Sequence, residues 1–213
     1  MTLAKVAGCR EIVVCTPCGK DGSVNPGLLH AAKVAGATEV YRVGGAHAIA
    51  AMAHGTKTIE PVQKIFGPGN AYVVAAKRLL VGHVSIDLLP GPSEVLVLAD
   101  ETANPAFAAA DILAQAEHGS GHERCWLVSS STRVLKAVGR EIEKQLPERS
   151  RVDYIRKVLK HNGWLIQVKS RAEGIALVNR LAPEHCEVMI KDPRSAAKEI
   201  VTCLLYTSPS PRD

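Results

Sequence analysis

Two pairs of polar residues carry the side chains best suited to chemistry in this chain of 213 residues. Gln115 and His118 lie three residues apart in DILAQAEH, which predicts a helix, so their side chains would share one face about 4.5 Å apart along the axis. A cation could bridge an amide oxygen and an imidazole placed in this way. Glu184 and His185 precede the strand-like run CEVMI, and a carboxylate beside a histidine can act as an acid–base couple. Together the pairs indicate metal-assisted redox or hydrolytic chemistry, for which a metal would need further ligands.

Each pair also has a purely structural interpretation. Gln115 and His118 could be polar residues on the surface of a helix, since glutamine is a rare zinc ligand. Glu184 and His185 could be loop residues that cap the strand after them. The residue types alone leave both interpretations open.

The elements that must position these residues alternate between strand and helix. Buried strand patterns, such as EIVVC (11–15) and EVLVLAD (94–100), are followed by helical segments, such as PAFAAADILAQAEH (105–118). This order predicts βαβ units with mainly parallel sheets. We therefore expect an α/β protein of two Rossmann-like units, incomplete at both ends, divided at PGPSE into 1–92 and 93–202.

Glycine turns are expected at three strand ends, at Gly44-Gly45, at GPGN (67–70) and at Gly91-Pro92-Ser93. In a doubly wound sheet such turns lie at the carboxyl edge, where ligands bind. Asn70 would cap the helix after GPGN and leave backbone N–H groups for an anion, although the turn could be purely structural. No GxGxxG signature of dinucleotide binding occurs. Ser93 lacks the GxSxG context of a nucleophile and is a plausible ligand-binding hydroxyl.

Composition argues against several classes of protein. The net charge of +5 is spread along the chain and aromatic residues make up only 4%, which disfavours nucleic-acid binding. No apolar run approaches the roughly 20 residues of a membrane span, and no targeting signal is present. Cys15 and Cys18 form a CxxC that lacks both a thioredoxin context and a second pair. We expect a cytoplasmic protein that acts on a small molecule.

The last segment, CLLYTSPSPRD (203–213), departs from the pattern before it. It resembles the translation of a transposase sequencing adapter, with a disordered Ser/Pro tail as the alternative. We therefore interpret 203–213 as a non-native tail, leave it out of the fold prediction, and expect the natural protein to continue past Thr202. Coding nucleotides unlike the adapter would contradict this expectation.

Taken together, these segments resemble the histidinol dehydrogenase family. The matching stretches follow the family's order over nearly all of 1–202: KVAGC, GGAHAIAAMAHGT, KIFGPGNAYV, AAKR, IDLLPGPSEVLVLAD, DILAQAEHG and APEH. The resemblance implies a zinc-containing, NAD-dependent homodimer with Rossmann-like cores that lack the standard fingerprint. Such an enzyme oxidises L-histidinol to L-histidine in two hydride transfers through a bound aldehyde.

The resemblance also implies roles for single residues. Gln115 and His118 match two zinc ligands that also contact the substrate. Glu184 and His185 match the general bases: His185 would take the alcohol proton, and Glu184 would activate the water that hydrates the aldehyde. Ser93, together with His185, matches a substrate contact.

His47 and Asn70 match contacts to NAD. The family usually has glutamine where His47 stands, and an imidazole could still form a hydrogen bond there. The remaining zinc ligands of the family, an aspartate and a histidine from the partner subunit, would lie beyond Thr202. An upstream segment that binds the cofactor is expected to be missing as well.

Two other functions stay open. A paralogous zinc- and NAD-dependent dehydrogenase of another small polyol or sulfonated diol would share these motifs. A non-catalytic relative that binds NAD or a partner is the second alternative, and the presence of both polar pairs argues against it.

We predict that these 213 residues alone bind zinc weakly or not at all and turn over no histidinol, because half of the expected ligand set is outside them. A zinc titration and a histidinol oxidation assay on the 213-residue chain check this expectation. Robust turnover would refute it.

Overall fold

The computed structural model describes residues 1–89, 91, 93–119 and 121–203, and the backbone of 205–207. The chain forms two compact units, Met1–Pro90 and Gly91–Asp213. Pro90 and Pro92, in the segment where we placed the division, lie outside the described residues. Every described strand pair is parallel, which confirms the predicted α/β class. That 1–92 binds NAD and 93–202 binds zinc and substrate, as the family resemblance implies, stays a prediction.

The first unit contains two separate pairs of short parallel strands, β1 with β2 and β3 with β4. A small apolar cluster, which includes Ile49, Ile65 and Val73, joins α3, β3 and α4. The elements are α1 Thr2–Val6, β1 Val13–Cys15, α2 Pro26–Val34, β2 Glu39–Tyr41, α3 Gly45–His54, β3 Lys64–Ile65, α4 Ala71–Leu79 and β4 Ser85–Ile86.

The second unit is built on a five-stranded parallel sheet with the order β7-β6-β5-β8-β9. Its elements are β5 Glu94–Ala99, α5 Pro105–Ala116, β6 Arg124–Ser129, α6 Thr132–Gln145, a 3-10 helix Leu146–Glu148, α7 Val152–Asn162, β7 Gly163–Gln167, α8 Arg171–Leu181, β8 His185–Met189, α9 Pro193–Glu199 and β9 Leu205–Thr207.

The central strand β5 is buried on both of its faces. Val95 and Val97 pack with residues of α5, α6 and α7, whereas Leu96 and Leu98 pack with residues of α8 and α9. Successive side chains of a strand point to opposite faces, so a continuous apolar run is what a sheet covered on both sides requires. The second unit therefore has two apolar layers with β5 between them.

Three parts of the second unit differ from the sequence prediction. Helices α7 and α9 were not predicted, because the surrounding Arg, Lys and Asp residues obscured their apolar spacing. Helix α5 ends at Ala116 with Glu117 as its C-cap, so the expectation that His118 lies within the helix is wrong. The C-cap Glu117 lies two residues before Gly119, whose φ of +107° cannot continue a right-handed helix.

The segment 203–213 was left out of the fold prediction, yet Leu205–Thr207 pairs in parallel with β8. Without this partner β8 would be an edge strand with unpaired backbone N–H and C=O groups, which readily accept a short extended segment. Leu204 and residues 208–213 lie outside the described residues, and the non-native origin of the tail stays a prediction. Among the described helices, none combines the length and the apolar character that a membrane crossing requires.

A nearly buried ion pair fixes the glycine turn of the first unit. The Lys77 ammonium is only 1% exposed, contacts the Asp87 carboxylate and donates to the Gly67 carbonyl oxygen at 2.8 Å. The other Asp87 carboxylate oxygen accepts from the Gly67 amide at 2.8 Å. Partial burial opposes ionisation of Asp87, but the Gly67 amide and the Lys77 ammonium together lower its pKa below the ordinary value. Two side chains distant in sequence thus hold both backbone groups of Gly67.

Replacing Lys77 by Met is expected to destabilise the first unit by about 3 kcal/mol or more, because the Asp87 carboxylate loses its counter-ion in a poorly hydrated position. Urea unfolding followed by far-UV circular dichroism measures the loss. Both tryptophans, Trp126 and Trp164, lie in the second unit, so their fluorescence reports on that unit separately.

The control is Lys57→Met, which removes an exposed ammonium and should change stability by less than about 0.5 kcal/mol. The contribution of ionised Asp87 is complete above its ordinary pKa of about 4 and is lost as the pH falls through its lower folded value. Equal stability of the Lys77→Met and Lys57→Met variants would contradict the proposed role of the pair.

Candidate functional site

The polar residues singled out in the second unit lie at the amino edge of its sheet. His185 begins β8 and pairs with Val95, the second residue of β5. Glu94, which begins β5, pairs with Arg124, which begins β6. Since three neighbouring parallel strands start together, the residues at their first positions meet at one edge. Ser93 and Glu184 come directly before two of these strands and lie at the same edge.

The Glu184 carboxylate is held by the main chain of β5. Its Oε2 accepts a hydrogen bond from the Glu94 amide at 3.2 Å. The Glu94 side chain in turn accepts from the Arg124 guanidinium at 3.2 Å, and the Arg124 amide donates to the Ser93 carbonyl at 3.2 Å. Arg124 is 53% exposed, so its ion pair adds little stability and mainly fixes orientation.

His185 stands beside Glu184 with its imidazole partly open to solvent. Its Nε2 lies 4.0 Å from Glu184 Oε1, and the two side chains are 42% and 32% exposed. Because His185 pairs with Val95, it points to the face of the sheet that α5 covers. The two groups are therefore close enough to act on one small molecule, and they do not neutralise each other through a direct hydrogen bond.

A strained residue introduces this dipeptide. Ala182 has a φ of +48° and a ψ of 55°. It caps α8, because its backbone N–H donates a hydrogen bond to the Val178 carbonyl oxygen. Among the described residues other than glycine, Ala182 is the one with a positive φ. The left-handed region is costly for a residue with a Cβ, and Pro183 restricts the residue before it further. Strain of this kind persists where the surrounding structure imposes it, and it is common at functional sites.

Gln115 and His118 lie at the C-terminal end of α5. Because β5 and β6 are parallel neighbours, α5 must run back from the carboxyl end of β5 to the amino end of β6. Its C-terminal end therefore lies at the same edge as Glu184 and His185. Gln115 is 8% exposed and within the helix, whereas His118 follows the C-cap, is exposed, and donates its amide to the Gln115 carbonyl at 3.2 Å.

The Gln115 carboxamide is suited to receive a ligand. Its Nε2 is buried and has no hydrogen-bond partner. A half-turn of the carboxamide exchanges nitrogen and oxygen, so this position can offer a donor or an oxygen ligand. An unpaired buried polar atom costs about 1–3 kcal/mol, which a bound cation or substrate would relieve.

The described residues supply only part of a metal site. Within 1–89, 91, 93–119 and 121–203, no group of three or more His, Cys, Asp or Glu side chains could hold a metal ion. Gln115 and His118 provide two donors, and zinc takes about three protein ligands in catalytic sites. An amide oxygen and an imidazole can both ligate zinc and would form part of such a site, and the metal and catalytic roles of these residues stay predictions.

The two residues predicted to contact the cofactor lie in the first unit. His47 is exposed in the first turn of α3, two residues after Gly45, in the connection that follows β2. Asn70 is the N-cap of α4, as predicted, and its Oδ1 accepts from the amides of Tyr72 and Val73 at 3.1 and 3.2 Å. Both capping bonds use the side-chain oxygen of Asn70, so the NH₂ group of the same carboxamide can donate to a ligand.

The sequence prediction placed three glycine turns at carboxyl edges, and one placement is wrong. The turns after β2 and β3 follow their strands, as expected. Gly91 and Ser93 instead precede β5, so they lie at the amino edge of their sheet, and Pro92 is outside the described residues. The strand pattern EVLVLAD that follows PGPS was the signal that could have shown this.

Two residues of the site were missed, Glu94 and Arg124. Glu94 was treated only as the start of a strand, although a charged residue directly before a buried apolar run marks a sheet edge. The role of Arg124 depends on the lateral pairing of β5 with β6, which a single sequence does not reveal.

The parallel strand pairs of both units, covered by helices, define an α/β protein. Comparison with known proteins is more specific. The family model described as histidinol dehydrogenase matches residues 1–203, and the chain belongs to this family.

Relatives of known name agree with this assignment. The chain is 51% identical over 199 residues to histidinol dehydrogenase of Bacteroides fragilis (strain YCH46), covering 93% of this chain and 46% of the relative. It is 50% identical over 190 residues to that of Geobacillus kaustophilus (strain HTA426), covering 89% and 45%. The crystal structure of histidinol dehydrogenase from Elizabethkingia anophelis matches with a TM-score of 0.91 and 40% identity, covering 96% of this chain and 47% of that one. The chain thus spans a little under half the length of these relatives.

Proposed function

We propose that this chain forms part of a histidinol dehydrogenase that oxidises L-histidinol to L-histidine with NAD and zinc. The observation that carries the proposal is the Glu184–His185 pair at the amino edge, fixed by the Glu94 amide, in a member of this family. Overall, the alcohol and one water give a carboxylate, two hydrides pass to two NAD⁺, and three protons are released. The chain must therefore remove protons at two different stages.

His185 is the proposed base for the first oxidation. A histidine accepts protons near neutral pH, and the loss of the hydroxyl proton must accompany departure of the hydride. The imidazole is 42% exposed and points to the face that α5 covers, so a substrate placed near the end of α5 can reach it. The proton can then pass to solvent.

Glu184 is the proposed base for the second oxidation. The aldehyde must first add water, and a carboxylate that removes a proton from this water helps to form the hydrate. The bond from the Glu94 amide fixes one oxygen of Glu184, Oε2, and leaves Oε1 on the side of His185. Ser93 lies at the same edge, directly before β5, and its hydroxyl is proposed to bind the substrate.

Gln115 and His118 are the proposed holders of zinc and also contact the substrate. The buried Gln115 Nε2 has no hydrogen-bond partner, so the carboxamide can turn and offer its oxygen to zinc at this position. Zinc, when bound, would supply Lewis acidity that lowers the pKa of the alcohol. NAD is the proposed hydride acceptor, with His47 and the free amide N–H groups of Asn70 as its contacts.

We also propose a homodimer. Helix α1 carries large apolar side chains that are open to solvent, with Leu3 83% and Val6 82% exposed, and Val34 of α2 is 66% exposed. Apolar surface of this kind usually becomes covered by further protein. The zinc ligands that the chain does not supply are expected to come in part from the partner subunit.

The two assigned bases predict different defects. In the protein expressed from the complete gene, His185→Asn should slow the first oxidation by about 10²–10⁴-fold, because no base remains for the alcohol proton. Glu184→Gln should slow the second oxidation by a similar factor, so that NADH formation is expected to approach one equivalent per site before it slows. Rapid-mixing measurement of NADH absorbance, with histidinol and with the aldehyde as separate substrates, distinguishes the two steps.

The matched control is Glu143→Gln, the same change at an exposed residue of α6, which should retain full activity. Equal activity of the wild type and both variants would contradict the assigned bases. A wild-type protein that oxidises other alcohols and fails to oxidise histidinol would favour the paralogous dehydrogenase. Inactivity toward every alcohol, with NAD still bound, would favour a non-catalytic relative.

A further inference from the structure

The loop between α5 and β6 carries His118 and is rich in glycine. Gly119 and Gly121 have φ values of +107° and +81°, which glycine adopts more readily than other residues. Glycine also has many other accessible backbone conformations, so the loop is not fixed by its own sequence. The described residues of this loop, 117–119 and 121–123, are called the His118 loop, and they need contacts from elsewhere if the His118 imidazole is to keep one position.

Arg151, the residue before α7, holds the first half of this loop. Its guanidinium donates to the Glu117 carbonyl at 2.5 Å. A Cβ built on Gly119 would lie 3.1 and 3.2 Å from the two terminal nitrogens of Arg151, so the guanidinium lies directly against the Gly119 backbone. The Arg151 Cζ is also 4.3 Å from the ring centroid of Tyr154, which fixes the orientation of the guanidinium.

Tyr154, in the first turn of α7, holds the second half. Its hydroxyl donates to Glu123 Oε2 at 2.9 Å and accepts from the Gly121 amide at 2.6 Å. Glu123 is fully buried, and its Oε2 also accepts from the Gly121 amide at 2.9 Å. Burial, together with the bond to Glu123, raises the pKa of Tyr154, so the hydroxyl keeps its proton and remains a donor.

We propose that Arg151 and Tyr154 are positioning residues that bind the backbone on both sides of His118 and so place its imidazole for metal and substrate. The inference rests on the proposed function, because it takes His118 to be a ligand. It adds α7, which carries no residue of the assigned site, to the machinery that shapes that site. Mutation of residues that hold a metal ligand in position typically changes metal affinity by about 10–100-fold.

The test uses the protein expressed from the complete gene with two variants, Tyr154→Phe and Arg151→Gln. Each should weaken zinc binding about tenfold or more, measured by competition with a chelating dye, since the loop loses one of its anchors. Each should also shift the visible absorption bands of the cobalt-substituted protein, which report the geometry around the metal. Arg151→Lys retains a donor for the Glu117 carbonyl and should recover most of the affinity.

Val158→Ala is the matched control because it removes two buried methyl groups from the same helix and leaves the loop contacts intact. It should lower Tm by a few degrees without a change in zinc affinity or in the cobalt spectrum. Unchanged affinity in Tyr154→Phe and Arg151→Gln would overturn the inference, as would an equal loss in Val158→Ala, which would show a general effect of stability. If the wild type itself binds no zinc, the proposed function fails and this inference fails with it.

Discussion

The site of the second unit depends on one constraint, the parallel pairing of β5 with β6 on one side and with β8 on the other. Residues 94, 124 and 185 are far apart in the chain, yet the register places them in neighbouring rows at one sheet edge. The same pairing forces α5 to return to that edge, which brings Gln115 close to it. A slip of one residue in β8 would turn His185 to the other face of the sheet.

The apolar layers on either side of β5 stabilise this register. Val95 and Val97 are buried with α5 to α7, and Leu96 and Leu98 with α8 and α9, so a shift of β5 would disturb both layers at once. The polar residues lie at the rim of this rigid core, where Glu184 is bound by the backbone and Ala182 is held in an unfavourable conformation. Rigid packing in the middle of the sheet thus makes defined geometry possible at its edge.

Local signals allowed much of this arrangement to be predicted from the sequence. Strand β5 was visible as an apolar run and α5 as a helical repeat, and Asn70 was recognisable as a cap from its position at the end of GPGN, directly before a helical pattern. The termination of α5 before His118 was missed, because it follows from the backbone at Gly119. The contacts of Arg151 with Glu117 and of Lys77 with Asp87 join residues far apart in the chain, and no local pattern encodes such partners.

In the proposed site, Gln115 and His118 share one bound molecule with Glu184 and His185. A crystal structure of the protein from the complete gene, grown with zinc and histidinol, tests it most directly. We expect zinc within ligand distance of Gln115 and His118, and the substrate within hydrogen-bond reach of Glu184 or His185. Histidinol bound away from this edge, with no contact to either pair, would contradict it.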